Sequence, residues 1–406
     1  MEERLFFELM QVAVGTRSVL SRMPTKQEWK AVYGYCLKQT LVGIGYVAIQ
    51  KLPKEQWPQV DIVLKFTGMA TRIKAKNELL DNTCVSVCQR LEHDGLDAVI
   101  LKGQANSINY PEALRQYRMP GDIDVWVRPK GNGTIPIAVK TGNNNVEYVN
   151  YRGVRAVIEY VRMQHRINGS CDRPPIRYHH IDAPKVNGIP VEAHFRPSYK
   201  NSPIRNWRLQ NWYKARMDVC AKNKCSLGIP VLTFSINVVY LMDHLFRHYL
   251  VEGLGLRQLM DYFFALRVWH NDMMECKDLQ SQGLWSEGLG TPVMTNEEVM
   301  RTLKSFGMGK FAAAVMWVLH EVFAMPTHYY ICEPNEKEGR KLLAEIMQGG
   351  NFGQYDERGK DMRNGGTIPH AVWKLKRVMR LVSSYPEEAL CEPFFRVWHW
   401  GWRLFH

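Results

Sequence analysis

The chain has 406 residues, which is longer than one ordinary domain. Apolar residues make up 46% and aromatic residues 11% of it, which is enough for sizeable hydrophobic cores. Its 53 lysines and arginines against 40 acidic residues leave a net charge of +13, which favours anionic partners such as phosphates or nucleic acid. No stretch is long and apolar enough to predict a membrane span, and the start "MEERLFFELMQ" lacks a signal-peptide layout. We therefore expect a cytoplasmic protein without a membrane span.

The first third of the chain changes from a helical to a strand-like pattern. Residues 1–92 carry apolar residues at spacings of three and four, which predicts helices that end near Gly95. The run "DAVILKG" is short, apolar and closed by Lys102 and Gly103, which indicates a buried strand leading into a turn. Pro111 interrupts a short helix or loop, and "DIDVWV" then alternates as a strand does. The change of period marks the start of an α/β region.

The rest of the chain contains one more strand pair before helices return. Residues 129–150 are rich in Gly and Asn and are predicted to be an irregular surface excursion. A helix is predicted from "RGVRAVIEYVRMQHRI" and a hairpin, turning at "VNG", from "YHHIDAPKVNGIPVEAHF". The predicted divisions are an N-terminal helical region at 1–92, an α/β core at 93–200, a helical domain packing on the core at 201–330 and a C-terminal helical region at 331–406.

Two aspartates stand one residue apart in the segment "MPGDIDVWV". On a strand Asp122 and Asp124 point to the same face, although strand interiors disfavour Asp and neighbouring like charges repel. Gly121 before them allows a ligand to approach closely. Paired carboxylates suit a hard divalent cation such as Mg²⁺, and a second metal about 3.5–4 Å away would complete a phosphoryl-transfer site. The alternative is a solvated edge strand with two surface aspartates.

Two other segments carry groups of matching chemistry. In "IPVEAHFRP", Glu192 and His194 share one face of a second strand, at the end of a hairpin that could lie beside the first. This segment would supply a third carboxylate. In "ILKG", a strand ends with Lys102 and Gly103, so its turn can present an ammonium and backbone N–H groups to phosphates.

Together these segments resemble the polymerase-β-like nucleotidyltransferase superfamily, which has a Gly-containing turn after one strand, Asp-x-Asp on the next and a third acidic residue on a later strand. The closer resemblance is to its family of uncharacterised bacterial nucleotidyltransferases. The matching residues, over about 80–270, are Leu101-Lys102-Gly103, Tyr110-Pro111, Arg118 with "GDIDVWV", Glu192-x-His194, His244 with His248, and Arg257 with Asp261. Gln104 departs from the usual Gly or Ser after the turn glycine, and the gap from Gly103 to Asp122 is longer than in minimal members.

The resemblance implies an α+β fold, with a small mixed-sheet nucleotidyltransferase core flanked by N- and C-terminal helical regions. It implies that Asp122 and Asp124 hold Mg²⁺ (or Mn²⁺) on an NTP, and that Glu192 completes the metal site as a ligand or acts as general base. Without metal, at least one of these three catalytic carboxylates should have a raised pKa. The implied nucleotide-binding residues are Lys102, Gly103, Arg118 and Gly121, and the supporting residues are His194, Arg257 and Asp261.

The implied reaction moves an NMP from an NTP to an acceptor hydroxyl or phosphate, on a sugar, a sugar phosphate or a protein, and releases pyrophosphate. One alternative is terminal nucleotide addition to nucleic acid, which the net charge supports, although no RNA-binding module or aromatic-interleaved basic stripe is recognisable. The other is a non-catalytic nucleotide-binding or interaction protein, against which the presence of all three acids argues. The acceptor, the NTP, the oligomeric state and the pathway stay open.

The charged residues of these motifs also have structural interpretations. Lys102 and Arg118 could form structural ion pairs with nearby acids instead of contacting phosphate. Arg257 and Asp261 are four residues apart on a predicted helix, so a local ion pair is expected.

The histidines are predicted to be packed or hydrogen-bonded residues rather than ligands. His179, His180 and His194 match no standard zinc-site spacing, which disfavours a zinc site. His244 and His248 are one helical turn apart, and helix packing is the predicted role because no third ligand stands at a recognisable spacing.

Overall fold

The structure, a computed structural model, describes residues 2–140, 146–170, 173–281, 293–358 and 366–405. It confirms the predicted α+β class, with a small mixed sheet among many helices. The chain divides into two compact units, each assembled from three segments. The helical unit comprises Met1–Asn77, Asn109–Met119 and Phe234–Ala389, and the sheet unit comprises Glu78–Ile108, Pro120–Thr233 and Leu390–His406. The four linear divisions expected from the sequence stay a prediction.

The helices and strands are numbered in chain order. The helices are α1 (Glu2–Val14), α2 (Lys26–Lys38), α3 (Val42–Lys51), α4 (Val60–His93), α5 (Gln104–Ser107), α6 (Glu112–Arg115), α7 (Gly153–Ile167), α8 (Pro203–Lys214), α9 (Met217–Lys222), α10 (Phe234–Val251), α11 (Leu256–Ser281), α12 (Asn296–Ser305), α13 (Gly309–Phe323), α14 (Glu336–Gly349), α15 (Thr367–Leu381) and α16 (Pro386–Leu404). The strands are β1 (Leu96–Ile100), β2 (Ile123–Pro129), β3 (Thr134–Lys140), β4 (Val146–Arg152), β5 (His180–Val186) and β6 (Ile189–His194).

A four-stranded sheet with the order β1-β2-β6-β5 forms the centre of the sheet unit. β1 pairs antiparallel with β2, β2 pairs parallel with β6, and β6 pairs antiparallel with β5. One face is apolar: Val125 of β2 and Val191 of β6 are buried in a cluster that includes Val87 of α4 and Val157 of α7. Because side chains alternate along a strand, the polar residues of β2 and β6 are directed to the other face.

The β5–β6 hairpin turns at Asn187 and Gly188, as the "VNG" segment predicts. Both residues have positive φ, of 51° and 76°, which is the requirement of a two-residue type I′ turn. Beyond the turn, an irregularity between Ala183 and Val186 shifts the register, and Asp182 then stands opposite Glu192 and His180 opposite His194. The turn and this irregularity together set where two predicted site residues lie.

The prediction of an irregular excursion at residues 129–150 is wrong for the part that the structure describes. β3 and β4 pair antiparallel along their whole length and form a separate two-stranded sheet. Ile135 and Ile137 alternate along β3 and are buried in the core of the sheet unit. This alternation outweighs the Gly and Asn content that suggested a loop; residues 141–145 lie outside the described residues.

The helical unit has an aromatic core built from its longer helices. Phe246 of α10 lies 5.1 Å from Phe311 of α13, measured between ring centroids. Phe263 of α11 lies 5.6 Å from Phe323 at the end of α13. In the part of the chain that the structure describes, no helix combines the length and the apolarity needed to cross a bilayer.

Gly188→Ala tests the turn that carries the site strand. An L-residue in the left-handed region costs about 1–2 kcal/mol, so the free energy of unfolding should fall by about that amount. Urea denaturation measures it. The matched control is Asn187→Gly, which keeps the left-handed conformation accessible and should change the free energy far less. Equal effects of the two variants would contradict a conformational requirement at Gly188.

Candidate active site

The polar face of the sheet carries two cross-strand rows of side chains. Asp124 of β2 stands opposite Glu192 of β6, which stands opposite Asp182 of β5. In the next row, His194 stands opposite both Trp126 and His180. The structure thus brings Asp124 and Glu192, which lie far apart in sequence, onto one face of adjacent parallel strands.

Asp124 is the most buried of the three predicted carboxylates, with 1% of its surface exposed. Its Oδ1 lies 3.1 Å from Lys102 Nζ and 2.9 Å from His194 Nε2. Burial alone would raise the pKa of this carboxyl, but Lys102 and His194 outweigh burial and hold the pKa far below its usual range. Its Oδ2 is buried and has no hydrogen-bond partner among the described residues. A charged carboxylate with one unused oxygen is the result.

Asp122 directly precedes β2 and is half-buried. The charge of Asp124, together with burial, raises the pKa of Asp122, and Glu192 adds to this repulsion while Lys102 opposes it. A raised pKa in one member of the carboxylate set agrees with the sequence-based expectation. Asp122 therefore behaves as an acid that lacks a counter-charge of its own.

The turn after β1 lies against the carboxylate segment. Gly103 has a positive φ of 66°, and a Cβ added there would lie 3.5 Å from the carbonyl oxygen of Asp122. Gln104, the departure from the usual turn sequence, is buried and donates a hydrogen bond to Asp81. Gly121 is different, because a Cβ added there would meet no described atom within 4 Å. The structure therefore leaves open space beside Gly121.

Three histidines cluster beside Glu192, which the sequence spacing did not suggest. His179, His180 and His194 are all buried, and one ring nitrogen of each lies within 4.8 Å of the others. His180 Nδ1 is 3.1 Å from His179 Nε2 and 3.3 Å from Glu192 Oε2. The hairpin was the sequence signal that could have revealed this cluster. Its turn at Asn187 and Gly188 places the segment "HHID" of one strand beside the segment "EAH" of the other.

Burial and the acids act in opposite directions on two of these histidines. Burial lowers the pKa of His180, and Asp182, whose Oδ1 lies 3.5 Å from His180 Nε2, opposes this shift. Burial also acts to lower the pKa of His194, but its hydrogen bonds to Asp124 and Glu192 outweigh it, so the pKa is raised. His194 therefore holds a proton between the two carboxylates more readily than an ordinary histidine does.

Four further motif residues, Tyr110, Arg118, Arg257 and Asp261, lie in the helical unit. Arg118 donates from Nε and Nη2 to the two oxygens of Asp261, at 2.6 and 2.7 Å, and Tyr110 donates to the same carboxylate at 2.7 Å. Arg257 donates to the carbonyl oxygen of Met119 at 2.9 Å. The strong partner of Asp261 is thus Arg118, a long-range partner that the spacing of Arg257 and Asp261 did not predict. The ion-pair alternative stated for Arg118 is what the structure shows.

The carboxylates of the sheet unit have the features of a divalent-cation site. The unused oxygen of Asp124 offers a ligand atom, and the repulsion at Asp122 would be relieved by added positive charge. Oxygen atoms of Asp124 and Glu192 and a nitrogen of His194 lie within 4.8 Å of one another. Oxygen ligands of this kind suit Mg²⁺ or Mn²⁺.

Comparison with known proteins gave one result. A family model described as "Uncharacterised nucleotidyltransferase" matches residues 25–282, which is more than half of the chain. Neither the curated proteins nor the solved structures gave a match.

Substituting each aspartate separately should change the stability of the metal-free protein in opposite directions. The pKa of Asp122 is raised in the folded state, so its charge destabilises the fold at neutral pH, and Asp122→Asn should increase the free energy of unfolding. The pKa of Asp124 is lowered, so its charge stabilises the fold above the unfolded pKa, and Asp124→Asn should reduce the free energy by about 3 kcal/mol.

Urea denaturation with EDTA at several pH values measures both effects. The Asp124→Asn difference should shrink as the pH falls below about 4, the ordinary pKa of Asp, because the unfolded chain then binds protons first. The Asp122→Asn difference should shrink at higher pH, between the raised pKa of Asp122 in the folded state and about 4. A shift of the same sign in both variants at neutral pH would contradict the assigned charge balance.

Removing one partner of the buried ion pair of Arg118 and Asp261 should strongly destabilise the helical unit. Arg118→Met leaves a buried carboxylate without its counter-charge and should reduce the free energy of unfolding by about 3–5 kcal/mol. The double variant Arg118→Met/Asp261→Leu removes both charges and should recover much of that loss. Arg340→Met, which removes an exposed pair with Glu336, is the control and should have a much smaller effect. No recovery in the double variant would contradict an uncompensated charge as the cause.

Proposed function

Because this chain belongs to the family of uncharacterised nucleotidyltransferases, we propose that it moves a nucleoside monophosphate from an NTP to an acceptor hydroxyl or phosphate in a reaction that depends on a divalent metal. Nucleotidyl transfer follows from the family. The metal dependence and the class of acceptor, which is a sugar, a sugar phosphate or a protein side chain, are the proposed part.

The observation that carries the metal dependence is the paired register of Asp124 and Glu192, with one oxygen of Asp124 unused. Asp122, Asp124 and Glu192 are proposed as the metal ligands. A divalent cation, Mg²⁺ or Mn²⁺, would supply charge neutralisation between these carboxylates and the triphosphate oxygens. The ammonium of Lys102 lies 3.1 Å from Asp124, which supports a position for positive charge on this side of the strand.

The proposed nucleotide contacts come from the two glycine-containing segments. Lys102 would contact phosphate oxygens, and the turn at Gly103 would present backbone N–H groups to them. The open space beside Gly121 supports close approach of the nucleotide to the backbone there. Arg118 could contact phosphate only by leaving Asp261. We therefore assign Arg118, Asp261 and Arg257 a supporting role, in which they hold the segment around Met119 in place.

The reaction forms a bond between the acceptor oxygen and the α-phosphorus, and it breaks the bond to the bridging oxygen of the leaving pyrophosphate. The acceptor proton must be taken up as this bond forms. Glu192 is half-buried and stands beside Asp124, so it is the proposed acceptor of that proton if the metal leaves one of its oxygens unoccupied. His194, buried between Glu192 and Asp124, would hold both carboxylates in place.

The first test is a melting experiment with NTP and metal. NTP with Mg²⁺ at about a hundredfold excess over Kd should stabilise the wild-type protein by about 2.7 kcal/mol, or several degrees, whereas NTP alone should do little because the triphosphate meets three carboxylates. Asp124→Asn should lose the metal-dependent part. Asp97→Asn removes a partly buried carboxylate that pairs with Arg128 in the same unit, and it should keep the metal-dependent part.

The same samples test catalysis when pyrophosphate release is measured with pooled sugars, sugar phosphates and protein extract as acceptors. Glu192→Gln should abolish release. Wild-type protein without any Mg²⁺-dependent NTP shift at millimolar ligand would refute the metal-dependent proposal. A shift without turnover in every acceptor pool would refute the proposed acceptor classes.

A further inference from the structure

We propose that His179, His180 and His194 bind a divalent transition-metal ion of the zinc class, beside the carboxylate site, with Glu192 as an oxygen ligand that both sites share. Binding of this ion does not rest on the proposed function. Its position next to the general base on the acceptor side of the reaction does.

The distances between the candidate ligand atoms match those around a small ion. Zinc–nitrogen and zinc–oxygen bonds of about 2.0–2.1 Å in a tetrahedron place neighbouring ligand atoms roughly 3.3 Å apart. His180 Nδ1 lies 3.1 Å from His179 Nε2 and 3.3 Å from Glu192 Oε2. His194 Nε2 lies 3.3 Å from the same Glu192 oxygen. Three of the contacts thus have the required spacing, and one ring nitrogen of each histidine lies within 4.8 Å of the others, so small side-chain movements would close the set around an ion.

The atom on the far side of the His180 ring supplies a second, independent indication. Metal-bound histidines usually donate their other ring N–H to a carboxylate or a carbonyl, which fixes the ring and the tautomer. His180 Nε2 lies 3.5 Å from Asp182 Oδ1, which is close enough to become such a contact with a small adjustment. If His180 binds the ion through Nδ1, Asp182 is thus already in the orienting position.

Hydrogen bonding alone leaves this cluster poorly satisfied. His180 Nδ1 faces both a histidine nitrogen and a carboxylate oxygen, yet one ring nitrogen can donate only one proton. A cation coordinated by the facing nitrogens and by Glu192 would satisfy those atoms together, because every one of them can act as an electron-pair donor.

The ligand type separates this site from the predicted magnesium site. Imidazole nitrogens suit zinc, cobalt, nickel, copper and iron, whereas carboxylate oxygens suit Mg²⁺ and Mn²⁺. Asp122 and Asp124 offer only oxygens, and the histidine cluster offers mainly nitrogens. Glu192 contacts both groups, so a transition-metal ion would stand next to the residue proposed to take the acceptor proton, and there it would act as a stronger Lewis acid than Mg²⁺.

The experiment uses Co²⁺ as the probe, on the full chain stripped of metal by chelation and without any NTP. Wild-type protein should bind one equivalent of Co²⁺ at this site with the intense visible absorption bands of low-coordinate nitrogen ligation. Zn²⁺ should displace it stoichiometrically, and a large excess of Mg²⁺ should not.

Substitutions then separate the two sites. His180→Asn and His194→Asn should each abolish the visible bands, and Asp182→Asn should keep them while weakening Co²⁺ affinity by about 10–100-fold. Asp122→Asn should leave the spectrum unchanged. His165→Asn is the matched control, because His165 is a buried histidine of the same unit that hydrogen-bonds to Ser170 and to the carbonyl of Asp182, and it should keep the bands.

One measurement needs no variant and therefore decides the matter even if a histidine variant fails to fold. X-ray absorption of the zinc-loaded wild-type protein should show three imidazole ligands. A shell of oxygens alone, no Co²⁺ spectrum in wild type, or unchanged spectra in folded His180→Asn and His194→Asn would each overturn the proposal. Because no nucleotide is present, these outcomes are distinct from a failure of nucleotidyl transfer.

Discussion

A single buried charge organises the polar face of the sheet. Asp124 has only 1% of its surface exposed, and a carboxylate so deeply buried needs a compensating cation. Lys102 and His194 supply that compensation from the neighbouring strand ends, and both thereby become fixed beside the strand. Asp122 receives no equal partner and carries the resulting repulsion. The site is thus asymmetric before any ligand binds: the pKa of one carboxyl is lowered and the pKa of the adjacent one is raised.

The parts of this arrangement that the sequence predicts are those that short-range geometry controls. Period-two alternation predicts the strand that carries Asp124, because one residue step always reverses the face. The pair Asn187 and Gly188 predicts the hairpin, because few residues tolerate positive φ at both positions of its turn. Placing Asp124 and Glu192 on a common face needed only the further expectation that two polar strand faces would meet.

The parts that the sequence did not predict depend on distant partners. Arg118 meets Asp261 across 143 residues, so its ion pair could not be read from helical spacing, which favoured Arg257 instead. The histidine cluster required both the hairpin register and the burial of its strands, and neither is visible in ligand spacing. The prediction for residues 129–150 was wrong for another reason. The many Gly and Asn residues in this segment outweighed the alternation of Ile135 and Ile137, although both of these side chains are buried in the core of the sheet unit.

The parallel pairing of β2 with β6 has a consequence for how the protein folds. Parallel neighbours cannot be joined by a tight turn, and here the connection contains β3, β4, α7 and β5. Closing so long a loop is entropically unfavourable until the intervening elements pack, so contacts of this sequence separation form slowly. The apolar face has to assemble before the carboxylates come together. We therefore expect the acidic site to be completed late in folding and only after the chain beyond His194 has been synthesised, so that repulsion among the acids does not oppose the earliest steps of collapse.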